Sequence, residues 1–84
     1  MSFFAYVVQS TIKSYLYKGH CANLELRLKE HNSGMTKSLR PYLPVKLVYF
    51  EAFLTLKDAI LRERFFKTAA GRRYLQKRLG KQSS

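Results

Sequence analysis

Residues 3–9 (FFAYVVQ) form a continuous apolar run rich in aromatic and β-branched side chains, and no other stretch restricts the fold as much. A strand that alternates apolar and polar residues leaves one face to water. One that is apolar throughout is a strand covered on both faces. Residues 10–14 are polar and make a turn, and residues 15–18 (YLYK) are short and β-prone. Residues 3–9 and 14–19 are therefore expected to form a hairpin that Gly19 ends.

After the hairpin the period changes to that of a helix. Asn23 is a candidate N-cap for a helix to Asn32, and Gly34 sits just past its end as a stop. Residues 35–45 hold Pro41 and Pro44 among several basic residues and read as a loop. Residues 46–53 (KLVYFEAF) make a third strand. Thr55 can cap a second helix over residues 56–68. Gly71 interrupts, and residues 72–79 form a short third helix. The expected order is β-β-α-β-α-α, an α/β (α+β) layer architecture of three strands with helices packed on them. The expectation is one domain over residues 1–84, with its core over about 3–79 and a frayed basic tail at 80–84.

A domain of this size has a thin core, and six Tyr and six Phe help to fill it. Sixteen Lys and Arg against five acidic residues leave a net charge of +11, a field that attracts polyanions. Nucleic-acid phosphates are the natural partner. A membrane surface fits less well, because there is no long helix with one basic face and one apolar face. The single cysteine, Cys21, excludes an internal disulfide and a cysteine zinc site, and suits a reducing cytoplasm. The amino-terminal apolar run is too short to span a bilayer and has no basic region before it, so no signal peptide is expected.

The sharpest chemical signal is polar residues where packing alone would place leucine. Leu24 and Leu28 mark the inward stripe of the first helix, and Arg27 and His31 share it. Leu56, Ala59, Ile60 and Phe66 mark a stripe on the second helix, with Glu63 near its centre; Leu61 and Phe65 fall on the opposite side. Unpaired buried charge is costly, so these residues need partners or an open cleft. Two readings stand: an internal ion pair between Arg27 and Glu63, or a site. Tyr6 and Tyr17, on neighbouring strands of the hairpin, can join such a site. A cation, a carboxylate, an imidazole and two phenols suit phosphodiester cleavage. That reaction needs a nucleophilic water, a base, and positive charge on the phosphoryl oxygens. A hard carboxylate such as Glu63 can hold Mg²⁺ or Mn²⁺, with water and phosphate completing the shell.

Over about residues 3–76 the chain also resembles the GIY-YIG nuclease family, and its small stand-alone members most. Phe4-Ala5-Tyr6 keeps the Tyr of the first motif, and Tyr17-Lys18-Gly19 keeps the Tyr and Gly of the second. Gly19-His20 followed by Asn23-Leu24-Glu25-Leu26-Arg27-Leu28-Lys29-Glu30-His31-Asn32-Ser33-Gly34 is a specific match. So is the segment with Ala59, Arg62-Glu63, Phe66-Lys67 and Gly71-Arg72. The resemblance implies a three-stranded antiparallel sheet flanked by helices, and roles for residues. Glu63 matches the metal ligand, and Arg27 the residue that stabilises the scissile phosphate. Tyr17 matches the general base or water-orienting group. Tyr6 and His31 match supporting positions, His31 as a proton relay or phosphate holder. Three positions depart from the family pattern: Lys18 for an aliphatic residue, Cys21 for a hydroxyl, and Leu26 for a basic residue. An inward Lys18 is costly unless its strand is an edge or the ammonium reaches a phosphate.

Other basic residues have two readings each. His20 lines the cleft or makes a surface hydrogen bond. Lys67 touches substrate or pairs with Glu63. Lys37, Arg40 and Lys46 flank the proline-bearing loop, and Arg72, Arg73, Lys77, Arg78 and Lys81 form a carboxy-terminal run; each set binds a nucleic-acid backbone or is a solvated face. The leading expectation is a metal-dependent endonuclease acting on DNA, branched or damaged DNA included, as a monomer or weak dimer without zinc. The alternative is a non-catalytic nucleic-acid-binding module on the same fold.

Overall fold

The computed structural model describes residues 1–80. Its elements are β1 (Phe3–Ser10), β2 (Leu16–Cys21), α1 (Leu24–Asn32), a 3-10 helix (Lys37–Tyr42), β3 (Val45–Phe53), α2 (Leu56–Phe66) and α3 (Ala69–Leu79). The strands form one antiparallel sheet in the order β2-β1-β3, so the apolar first strand is central. The expected α+β order of elements is the one observed. Among the described residues no helix is long and apolar enough to cross a membrane.

The central strand is buried on both sides because two layers cover it. Ala5 and Val7 point to a core with Phe66 of α2 and Leu75 of α3, flanked by Leu16, Val48 and Tyr49. Tyr6 and Val8 point to the other core, with Leu39 of the 3-10 helix, Val45, and the partly buried Leu24 and Leu28 of α1. The side chains of α1 and α2 therefore reach opposite faces of one thin sheet.

The local caps follow the sequence. Asn23 accepts from the backbone N–H of Leu26, and Thr55 from that of Asp58. Gly34 has a φ of 89°, the left-handed stop that favours glycine after a helix.

Three expectations are corrected. The segment read as a loop contains the 3-10 helix, because Leu39 drops into the core and is fully buried. The third helix begins at Ala69, with Thr68 capping the N–H of Gly71. Gly71 is thus no interruption. A Cβ there would lie 1.8 Å from the Phe65 carbonyl oxygen, so glycine lets α3 close against the end of α2. Finally, the inward stripe of α2 is carried by Ala59 and Phe66. Leu56 and Leu61 are exposed and share an outward groove with Lys57, Ile60 and Arg64. The expected frayed tail lies outside the described residues but for Gly80.

Candidate active site

On the α1 face, the Tyr6 ring lies across Gly19 of β2, its partner in the strand register. A Cβ on Gly19 would stand 2.5 Å from the Tyr6 hydroxyl. That clearance lets the hydroxyl reach Nε2 of His31 at 2.7 Å, while Nδ1 of His31 lies 2.6 Å from the Thr36 hydroxyl. The His31 ring is fully buried, and the Tyr17 ring meets it edge-on with centroids 5.1 Å apart. Arg27 acts electrostatically on the Tyr6 phenol and donates to Glu30 at 3.0 Å. Four of the residues singled out in the sequence therefore form one cluster.

Burial pushes the Tyr6 phenol up to about 12, although Arg27 pulls the other way. It also lowers His31, with Arg27 adding to the effect, so the imidazole favours its neutral form. With both nitrogens engaged inside the fold, His31 ties α1 to β1 and to the start of the 3-10 helix.

Glu63 sits on the other side. Its Oε1 lies 2.6 Å from Nδ1 of His20 and its Oε2 accepts from Lys67 at 2.6 Å. Burial alone would raise the Glu63 carboxyl, but hydrogen bonds and charge from Lys67 and His20 outweigh it and hold the group below the usual range. The Arg27–Glu63 ion pair is not formed: Arg27 pairs with Glu30, and Glu63 with His20 and Lys67. Lys67 thus makes the Glu63 pair that was one of its two readings, and the hydrogen bond of His20 goes to the same carboxylate.

The two groups approach each other at β2, the edge strand. Its Tyr17 belongs to the α1 core, whereas Lys18 and His20, one residue either side of Gly19, turn toward α2. A hollow of about 480 Å³ over this edge is lined by Tyr15, Leu16, Tyr17, Lys18, Ser38 and Lys67. It has Tyr17 of the first group and the Glu63-bound Lys67 of the second in one wall. Lys18 sits on an edge strand, as its charge requires.

The remaining sequence candidates are spread out. Arg72 donates to the Lys67 carbonyl at 3.1 Å and acts electrostatically on Lys18. Arg73 lies along a groove with Phe65, Tyr74 and Lys77. Lys37 is exposed, and Arg40 donates to the Gly34 carbonyl. Sequence reasoning missed Glu30, Thr36 and Ser38. Glu30 was findable, since i,i+3 spacing faces it to Arg27; the other two are brought in by the 3-10 segment.

Among the described residues no three His, Cys, Asp or Glu side chains gather as a metal cage. The donor set offers Glu63 with His20 beside it. That fits a hard ion such as Mg²⁺, which commonly takes one or two carboxylates and completes its shell with water and phosphate.

The GIY-YIG catalytic domain family matches residues 2–79. A UPF0213 protein of Clostridium perfringens is 40% identical over 74 residues, covering 87% of this chain and 78% of that protein. One of Bacillus licheniformis is 49% identical over 53 residues, 62% of this chain and 55% of the relative, so the match spans little more than half of that protein. The solution NMR structure of a UPF0213 protein from Bacillus halodurans shares the fold, with a TM-score of 0.56 and 24% identity over 99% of this chain and 92% of that one.

Proposed function

The chain belongs to the GIY-YIG catalytic-domain family, and from that premise we propose that it is a metal-dependent endonuclease that hydrolyses DNA phosphodiester bonds at the edge of β2. The observation that carries the reading is the half-buried Glu63 carboxylate, bonded to Lys67, which shares with Tyr17 the lining of one hollow at the β2 edge.

In this reading each residue has one task. Arg27, steadied by Glu30 and the Tyr6 phenol, presents its guanidinium to the phosphoryl oxygens, where charge builds in the transition state. Tyr17 hydrogen-bonds the attacking water at the wall of the hollow and orients it toward the phosphorus. Tyr6 and His31 hold Arg27 and Tyr17 in place. Glu63 carries the divalent ion, Mg²⁺ or Mn²⁺, which when bound supplies positive charge to the phosphate and acidifies water. Lys67 occupies Oε2 in the free protein and has to turn toward the substrate.

One observation favours a second reading, a binding module without catalysis: both Glu63 oxygens are already engaged. A plasmid-nicking assay with Mg²⁺ or Mn²⁺ separates the two. Wild type is expected to nick, with Glu63→Ala and Arg27→Ala slower by about 10²–10³-fold, the loss usual for a group that stabilises transition-state charge. No cutting by wild type of any DNA with either ion would leave the binding module. Unimpaired cutting by Glu63→Ala would show that the site is misassigned.

A further inference from the structure

Lys18 stands out among the cations of this protein. Most of the others are exposed or bonded to a carboxylate or carbonyl. Lys18 is half-buried, on the side of β2 that faces α2, and no carboxylate of the described residues lies within ion-pair distance of it. Burial lowers its affinity for a proton, and its electrostatic neighbours, the two further cations Arg72 and Lys67, add to the effect. Arg72 is anchored beside Lys67 by its bond to the Lys67 carbonyl. Lys18, Lys67, Ser38 and Tyr17 line the same hollow.

Three like charges held close together cost stability unless something anionic joins them. Glu63 neutralises only one, through Lys67. The arrangement is therefore a site short of an anion. Tetrahedral phosphate suits it, since ammonium, guanidinium and hydroxyl donors can all reach its oxygens.

We propose that Lys18, Lys67 and Arg72 form a second phosphate site on the α2 side of the β2 edge, which holds a backbone phosphate flanking the one at Arg27. The inference rests on the nuclease reading for the Arg27 phosphate alone; the cation cluster stands without it. Arg27 reaches the sheet from the α1 face and the cluster from the α2 face. A strand that touches both must cross the edge of β2 over the hollow. Position 18, where the chain departs from the family pattern, then sets how firmly the strand is gripped beside the cut.

The test is binding without metal. Fluorescence anisotropy of a labelled DNA oligonucleotide in EDTA is followed across a KCl series. Lys67 is left in place because its removal would also unmask Glu63. Lys18→Met/Arg72→Met keeps the apolar stems and removes two charges; Lys29→Ala/Lys57→Ala removes two exposed charges elsewhere. Circular dichroism melts establish that both variants fold. The site variant is expected to lower the log–log salt slope by about 0.7–0.9, one phosphate contact, and to weaken low-salt binding about tenfold. The control is expected to change both far less, and Lys18→Arg to keep the wild-type slope. Equal effects of site and control variants would overturn the proposal. So would binding of inorganic pyrophosphate that the site variant loses with no change in its oligonucleotide binding, since that would make it a free-phosphate site. Nicking is assayed on the same proteins. If wild type cuts but the slopes do not differ, this site falls and the nuclease reading stands. If the slopes differ as expected but wild type never cuts, the site stands and the nuclease reading falls.

Discussion

The hydroxyl of Tyr6 on the central strand lies 2.7 Å from Nε2 of His31 on α1, reaching it over the bare backbone of Gly19. Nδ1 of the same ring lies 2.6 Å from the Thr36 hydroxyl, so both ring nitrogens are engaged, and the Tyr6 and His31 side chains are buried.

That arrangement makes stability depend on His31. Burial lowers its proton affinity in the native state, with Arg27 adding to it. Between the unfolded value, about 6.5, and the depressed native value, the unfolded chain binds a proton that the native chain does not. Stability is then full above about pH 6.5 and falls as the pH drops through that window. Thermal melts from pH 8 to pH 4.5 should show the decline in wild type. His31→Gln should show a shallower decline from a lower starting point, because broken buried hydrogen bonds cost about 1–3 kcal/mol. Parallel curves for the two proteins would mean that His31 does not titrate as the burial requires.

Gly19→Ala tests the crossing of Tyr6 over β2. The added Cβ would meet the hydroxyl at 2.5 Å and the Cζ atom at 2.7 Å, so the ring must move off His31. Overpacking of this kind costs about 1–3 kcal/mol. Urea denaturation should register that loss. Tyr6→Phe should not rescue Gly19→Ala, since the ring carbon still clashes, whereas Tyr6→Leu should make Gly19→Ala nearly neutral. Additive costs in the Tyr6→Leu/Gly19→Ala double variant would show that the two residues do not share the space.

Much of this fold is legible because its causes are local. The Asn23 and Thr55 caps, the apolar first strand and the glycine stop at Gly34 each depend on a few neighbouring residues. The 3-10 helix and the start of α3 are not legible, since each answers to distant atoms. Leu39 is helical because the core beneath takes it, and Gly71 reads as a breaker until the Phe65 carbonyl is seen against it. The candidate site divides the same way. Arg27, His31 and Glu63 betray themselves as polar residues on apolar stripes. Partners one turn away on the same helix, Glu30 and Lys67, follow from spacing, whereas Thr36 does not, because the chain beyond α1 has to turn back to bring it to His31.

Arg62, next to Glu63, has a different task. Its guanidinium binds both oxygens of Glu51 on β3, at 2.8 and 3.3 Å, and lies against the rings of Phe65 and Tyr74. It fastens α2 to β3 and α3 and so fixes how α2 is rotated. Arg62→Ala should lose about 1–3 kcal/mol in urea, as removal of a charged hydrogen-bond partner does. The acid limb should change too. Burial would raise the Glu51 carboxyl, but Arg62 foremost, then Tyr49 and Tyr74, bring it below the usual range. A depressed native value gives stability that is present above the unfolded carboxylate's pKa of about 4.3 and is lost as the pH falls. Stability of Arg62→Ala should therefore fall less steeply than wild type below about pH 4.5. An acid limb unchanged by the substitution would remove Arg62 as the cause.

Lys67 and a divalent ion compete for one carboxylate oxygen. The ammonium lies 2.6 Å from Oε2 of Glu63, and its side chain is about half exposed, so the pair is worth only about 0.3–1 kcal/mol. Lys67→Met should accordingly raise Mn²⁺ affinity in the DNA-free protein by roughly two- to fivefold. Glu63→Gln should abolish binding whether or not Lys67 is present. Electron paramagnetic resonance of free Mn²⁺ reads both directly, with no substrate and no turnover. Weaker Mn²⁺ binding by Lys67→Met would mean that the lysine organises the carboxylate for the ion, and the picture of an ammonium that must step aside would be wrong. Mn²⁺ binding that survives Glu63→Gln undiminished would place the ion elsewhere on the protein.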